Sequence, residues 1–159
     1  MKLAREIFKV LLGKRLPNLD GELTTDGNDS VINITRDDFG IPYIKAASVA
    51  DGWYGLGFCQ GQDRSFQLEL SQRIATGTLS EVIGSEALPI DRISRRIGFH
   101  RSSVAQFNNL DSETQKSLTS FSEGVNAGRI IGSSRKAHEF TLLRFEPSVF
   151  TPQDCLSTL

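Results

Sequence analysis

Cysteine is scarce: Cys59 and Cys155 are the only two in 159 residues. Two thiols are too few for the disulfide framework of a small secreted scaffold. A chain of this length buries enough surface to fold without one. Whether the two pair is left open by the sequence. Histidine is equally scarce, with only His100 and His138. Their spacing to each other and to the cysteines has nothing of C-x₂-C or H-x₃-H, so packing is the better reading of all four than a metal site. An excess of one charge is also missing. Eighteen Lys+Arg stand against 19 Asp+Glu, a net charge of −1. That balance gives no case for nucleic-acid binding, which needs a basic surface, though a local basic patch stays possible. No run of about 18 apolar residues occurs, so no segment reads as a membrane-spanning helix. There is no G-x-S-x-G elbow, and neither histidine has the context of a catalytic base.

What is present is an ordinary globular composition, with 38% hydrophobic residues and 14 glycines. Residues 1–16 are basic and partly apolar. Arg5, Glu6 and Lys9 interrupt the apolar run, and no A-x-A cleavage site follows, so a signal peptide fits poorly. Leu3, Ile7, Val10 and Leu11 fall at helical spacing. The segment reads as a short amphipathic helix that docks on the body or lies on an anionic membrane surface. Residues 17–30 are rich in turn formers and read as a linker or hairpin edge. The division is therefore a helix and linker over 1–30, and a body over 31–159.

The body opens with a β-hairpin. Residues 31–35 are β-branched, 36–40 supply Asp and Gly for a turn, and 41–45 form a second short strand. Pro42 lacks an amide donor and belongs at an edge or a strand start. Ser48 then caps a long helix to about Ala75, with Asp51 as a weak substitute for the capping-box glutamate, and Gly77 ends it. Gly55, Gly57 and Gly61 each cost this helix about 1 kcal/mol relative to alanine. Close approach of a neighbouring element is the usual compensation. The alternative, a phosphate-cradling loop, lacks the preceding strand and the G-x-G-x-x-G spacing. Residues 79–84 form a short helical turn, and 90–98 read as an exposed helix. Asp111 caps a further helix carrying Leu118, Phe121 and Val125 on one face, weakened by Gly128 and Gly132. Residues 139–145 are ambiguous between helix and strand. Thr151-Pro152 is a helix start close to the end of the sequence, which reads as a truncated element.

Gln60, Gln62, Asp63, Arg64, Gln67, Glu69, Gln72 and Arg73 crowd one helix. They form either a solvated face or a partly buried hydrogen-bond network. Asp63 and Arg64 are adjacent and point apart, so Arg64 is expected to meet Asp37 or Asp38 in the hairpin turn instead.

Four blocks in order carry a resemblance: 35–44 (TRDDFGIPYI), 55–64 (GLGFCQGQDR), 67–73 (QLELSQR) and 77–84 (GTLSEVIG). Together they resemble the start of the α-chain of the penicillin acylase (penicillin amidase) family of N-terminal-nucleophile hydrolases. A looser similarity continues through 111–127 and 145–154. The resemblance implies an α+β fold, a partial αββα sandwich represented here by a β-hairpin plus several helices, mostly helical. It implies a precursor that cuts itself into α and β chains, with the first serine of β as nucleophile and its own α-amino group as base. Implied substrates are linear amides, such as the acyl side chains of β-lactams or N-acyl-homoserine lactones. Calcium bridging the chains is implied for the complete enzyme, and none in this chain.

No catalytic, cofactor-binding or metal-ligating residue of the family maps onto this sequence. Lys2 follows Met1, so removal of the initiator would expose no Ser, Thr or Cys. The α-chain part of the acyl pocket and the calcium carboxylate are expected beyond 159. Tyr43 stands where the family often has His, and Cys59 and Gly61 where it has small residues such as Ala. The expectation is an amidohydrolase α-chain fragment, inactive alone, with the β-chain of the same precursor as partner. The alternative is a stand-alone binding or scaffold protein derived from that α-chain.

Overall fold

The computed structural model describes residue 13 and residues 15–158. The amphipathic helix expected over 1–16, with its membrane contact, lies almost wholly outside the described residues. Among the described residues no helix is long and apolar enough to cross a membrane. The chain is mostly helical, with one two-stranded antiparallel sheet. In order, the elements are β1 (Asn33–Arg36), β2 (Pro42–Lys45), α1 (Val49–Thr76), α2 (Ser80–Ile83), a 3-10 turn (Ser85–Ala87), α3 (Leu88–Ile97), α4 (Phe99–Asn109), α5 (Ser112–Ile131), α6 (His138–Leu143) and α7 (Pro152–Ser157).

The hairpin forms where the β-branched residues place it. Ile34 lies opposite Ile44, and Arg36 opposite Pro42 at the strand start. Asp37 builds the turn: its Oδ1 accepts from the Phe39 amide (3.0 Å) and the Ile41 amide (2.9 Å). Ile32 and Ile44 pack on α1 at Gly55, where a Cβ would collide with both side chains. The linker before it forms no regular element beyond a single bridge between Pro17 and Ser133. It is pinned to the body by the Asn18 amide on Gly132 O (2.8 Å) and the Asp29 amide on Asp51 Oδ1 (3.0 Å).

Helix α1 has the ends the sequence suggests. The Ser48 hydroxyl accepts from the Asp51 amide at 3.0 Å. Asp51 closes no capping box, because its carboxylate reaches the linker instead. Gly77 stops the helix at φ 69° and donates to Arg73 O and Ile74 O, a conformation that only glycine adopts without strain. One feature is unexpected: the helix breaks at Arg64, whose φ −129° and ψ 23° are not helical.

The core is the crossing of α1 and α5. A Cβ on Gly57 would lie well inside 3.0 Å of Phe121 O, and one on Gly61 equally close to Val125 O. The relation is reciprocal, with Gly124 against Tyr54 O and Gly128 against Phe58 O. Glycines four apart on both helices thus let backbone meet backbone. Dispersion over that contact offsets the cost of the glycines. Tyr54, Phe58, Cys59 and Val125 are buried around it.

Two segments differ from the sequence reading. Residues 99–109, where the sequence suggests helix only around His100, form the whole of α4, which packs on α7. Helix α3 is not simply exposed. Its polar side faces inward, with Asp91 and Ser94 buried, while Ile90, Ile93 and Ile97 face outward. Asp91 turns inward because it caps α2 from a distance, accepting from the Leu79 amide (2.8 Å) and the Ser80 amide (2.9 Å). Burial pushes its carboxyl up, but the bonds from Ser80 and Leu79 and the Arg95 charge outweigh this and hold it below its ordinary value. The ambiguous 139–145 segment is α6, ended by Arg144 in the left-handed region (φ 58°).

The glycine crossing makes an opposed pair of expectations. Gly57→Ala should destabilise the chain by about 1–3 kcal/mol, because the methyl meets backbone that cannot rotate away. Gly52→Ala, on the same helix with nothing within 4 Å of its Cβ position, should stabilise by up to about 1 kcal/mol. Urea unfolding midpoints of the two variants check both signs.

Candidate functional site

The crowded polar set on α1 divides by position. Glu69 and Gln72 are buried, Arg73 is half-buried, and Asp63, Arg64 and Gln67 are exposed. The network reading therefore holds for the second half of the helix; at the break Gln62 and Asp63 are bonded to Arg36, and the solvated reading holds for Arg64 and Gln67.

Glu69 is fully buried (0% exposed) and organises the network. Its Oε1 accepts from Arg73 Nε at 2.8 Å and from the Ser148 hydroxyl at 2.9 Å. Its Oε2 accepts from the Ser148 amide at 2.8 Å and lies 3.7 Å from Arg129 Nη1. Arg129, from α5, donates to Ser148 O at 2.6 Å. Burial pushes the Arg129 guanidinium below its ordinary value, and the carboxylates of Glu69 and Asp154 pull it back. A buried carboxylate is costly unless paired and hydrogen-bonded, and here it is both.

The partner of this network is the strap over 145–151, which has no regular structure and draws its backbone bonds from helix side chains. Asn126 takes both groups of Phe150: Nδ2 donates to the carbonyl (2.8 Å), and Oδ1 accepts from the amide (2.9 Å). Gln72 Nε2 donates to Val149 O (2.8 Å) and to Asp154 Oδ2 (3.0 Å). Asp154 Oδ2 also accepts from the Thr151 amide (2.8 Å) and hydroxyl (2.7 Å), closing a capping box at the start of α7. Arg73 lies over the Phe145 ring and Arg129 over the Phe150 ring. Phe140 is fully buried between Phe66 and Phe145. The direction in which α7 leaves the body is thus set by buried side chains of α1 and α5.

The hairpin is tied to α1 with the opposite polarity to the expected one. Arg64 does not reach Asp37 or Asp38. Instead Arg36 of β1 donates to Asp63 Oδ2 (2.7 Å), Gln62 Oε1 (2.9 Å) and Gly40 O (2.9 Å). Arg64, at the helix break, is exposed, while Gln62 and Asp63 face the hairpin.

The other singled-out residues stay apart. Cys59 lies buried in α1 and Cys155 half-buried in α7, both as free thiols. His100 lies exposed in α4, and His138 starts α6. Among the described residues no group of three or more His, Cys, Asp and Glu is placed to hold a metal ion. Asn126, Arg129 and Ser148 were not singled out from sequence. The available signal was Asn126 and Arg129 bracketing the glycine face of α5, where polar residues need partners. Chemically, the network holds rather than reacts. Glu69 is sealed from solvent with both oxygens engaged, and neither histidine is bonded to Ser148.

Two expectations follow from the burial. Glu69→Gln keeps the shape but leaves Arg129 without its countercharge, so unfolding free energy should fall by about 3–5 kcal/mol in a denaturant titration. Burial pushes the Cys59 thiol up, and burial with the Asp154 charge pushes Cys155 up to about 12. Both thiols should therefore resist alkylation at neutral pH in the native chain and react once it is denatured, as mass spectrometry would record.

With this geometry in place, the comparisons with known proteins are direct. The penicillin amidase family model matches residues 31–159. The penicillin acylase 2 proenzyme of Pseudomonas sp. (strain SE83) is 35% identical over 159 residues, 100% of this chain and 20% of that protein. The acyl-homoserine lactone acylase QuiP of Pseudomonas aeruginosa is 26% identical over 139 residues, 87% of this chain and 16% of that protein. The solved structure of a thermostable penicillin G acylase from Alcaligenes faecalis superposes with a TM-score of 0.69 at 25% identity. That match covers 80% of this chain and 69% of that one. The chain spans about one fifth or less of the length of these two curated relatives. The two-stranded hairpin and the helices around it are those of part of that penicillin G acylase structure, and the chain belongs to the penicillin amidase family.

Proposed function

We propose that this chain is the N-terminal part of the α-chain of a penicillin-acylase-type amidohydrolase and is inactive alone. The complete enzyme would hydrolyse carbon–nitrogen bonds in linear amides, with acylated β-lactams and N-acyl-homoserine lactones as the substrate classes its relatives' names suggest. The observation that carries this reading is the hairpin. Its inner face is seated on α1, while Val31, Ile41 and Tyr43 remain exposed on the other side. Among the described residues the sheet has two strands only, with both outer edges unpaired. Two-stranded sheets are marginal in water, and apolar residues on the open face call for a further layer. The β-chain of the same precursor is the partner that supplies that layer, and a relative named as a proenzyme supports it.

In this reading the reaction centre belongs to the partner. A serine at the start of the β-chain attacks the amide carbonyl through its hydroxyl, and its own α-amino group takes the proton. The residues described here position rather than react. The Arg36–Asp63 tie presents the hairpin to the second layer. The Glu69–Arg129 network holds the strap, and hence α7, toward the remaining α-chain. Calcium in the complete enzyme would bridge the two chains, with its α-chain carboxylate expected beyond residue 159.

The isolated chain, assayed against penicillin G, an N-acyl-homoserine lactone and simple acyl amides, should show no turnover. Turnover that survives purification would overturn the proposal. The DNA downstream supplies a second arm. A reading frame that continues into a spacer and a β-chain serine, or a separate β-like gene nearby, supports it. A stop codon with neither would favour a stand-alone binding or scaffold protein.

A further inference from the structure

The break in α1 opens a cleft of about 490 Å³ between the hairpin turn, α1 and the turn after α5. Six cationic side chains line it, against the carboxylates of Asp63 and Glu139 alone among its described lining residues. The whole chain carries a net charge of −1, so this is a local concentration of positive charge. Part of it is compensated. Arg36 is paired with Asp63, and Lys136 with Glu146 at the exposed rim. Arg129 faces Glu69, which it shares with Arg73, and Asp154, while Arg73 has Glu81 as a second partner, so the Arg129 charge is offset as well. Its Nε is buried and has no hydrogen-bond partner. Arg64 and Arg135 are exposed, and neither has a hydrogen bond or ion pair among the described residues.

These are two uncommitted guanidinium groups from different elements, beside a third that is buried with its Nε unpartnered. Guanidinium forks match the geometry of carboxylate and phosphate oxygens, and a concave wall strengthens their field. We propose that this cleft binds a small oxyanion, a carboxylate or a phosphate. Arg64 from α1 and Arg135 from the turn after α5 hold it, with the Arg129 guanidinium in the wall beside them. The helix break lies at Arg64 itself, in the wall of the cleft. The inference concerns binding only and is independent of amidase activity.

Isothermal titration of the 159-residue chain tests it, with inorganic phosphate in one arm, citrate in the other and chloride as the control at equal ionic strength. At least one oxyanion should bind saturably at one site in the millimolar range, and chloride should not replace it. The arm that binds identifies the chemistry as phosphate or carboxylate. Arg64→Gln combined with Arg135→Gln should weaken binding about tenfold or more. Arg92→Gln combined with Arg101→Gln, exposed arginines outside the cleft, should leave it unchanged. All four positions are on the surface, and far-UV spectra of both variants confirm folding. Failure to saturate in both arms, equal affinity in the cleft variant, or equal loss in the control variant would overturn the proposal.

Discussion

Two helix backbones touch at Gly57, Gly61, Gly124 and Gly128, and the rest of the chain is arranged around that contact. No side chain separates α1 from α5 at these points. Any other residue there would push the helices apart and move whatever each carries. Gly55, two residues before Gly57 and so on a different side of α1, makes room for the hairpin, where Ile32 and Ile44 lean into the space a Cβ would fill. The helix cost of these glycines is thus repaid in packing, and the positions of hairpin, strap and α7 follow from it.

The close crossing also makes the buried charge tolerable. It brings Glu69 of α1 and Arg129 of α5 near enough to share Ser148, one through its amide and hydroxyl, the other through its carbonyl. The strap has no sheet or helix of its own, so its backbone groups must find partners elsewhere. Asn126, Gln72 and Glu69 provide them. The result is an extended segment held by side chains, which delivers α7 in one orientation.

Much of this was legible in the sequence because it is local. Ser48, Gly77 and Asp111 mark helix ends by bonds to their own neighbours, and the glycine spacing announces a close crossing without naming the partner. What could not be read was long-range. Asp91 looked like an exposed helix residue, because the amides it caps lie 11 and 12 residues away. Glu69 could be suspected of burial, but its partners Ser148 and Arg129 stand 79 and 60 positions off. The Arg36–Asp63 tie was expected with the charges exchanged, because nothing local to either segment shows which of Asp63 and Arg64 faces the hairpin. The family blocks cover the hairpin and α1 well. They say little about the strap, where polar partners rather than periodicity decide the conformation.

The central claim is that the α1–α5 crossing is the stable core and that the hairpin is a layer awaiting cover. Native-state hydrogen exchange on the dilute, monomeric chain tests it most directly. The amides of 57–61 and 124–128 should exchange only through global unfolding, with free energies equal to that of denaturation. The amides of 33–36 and 42–45 should exchange through local opening at much lower free energy. Hairpin amides as protected as those of the crossing, or crossing amides that open locally, would contradict the account.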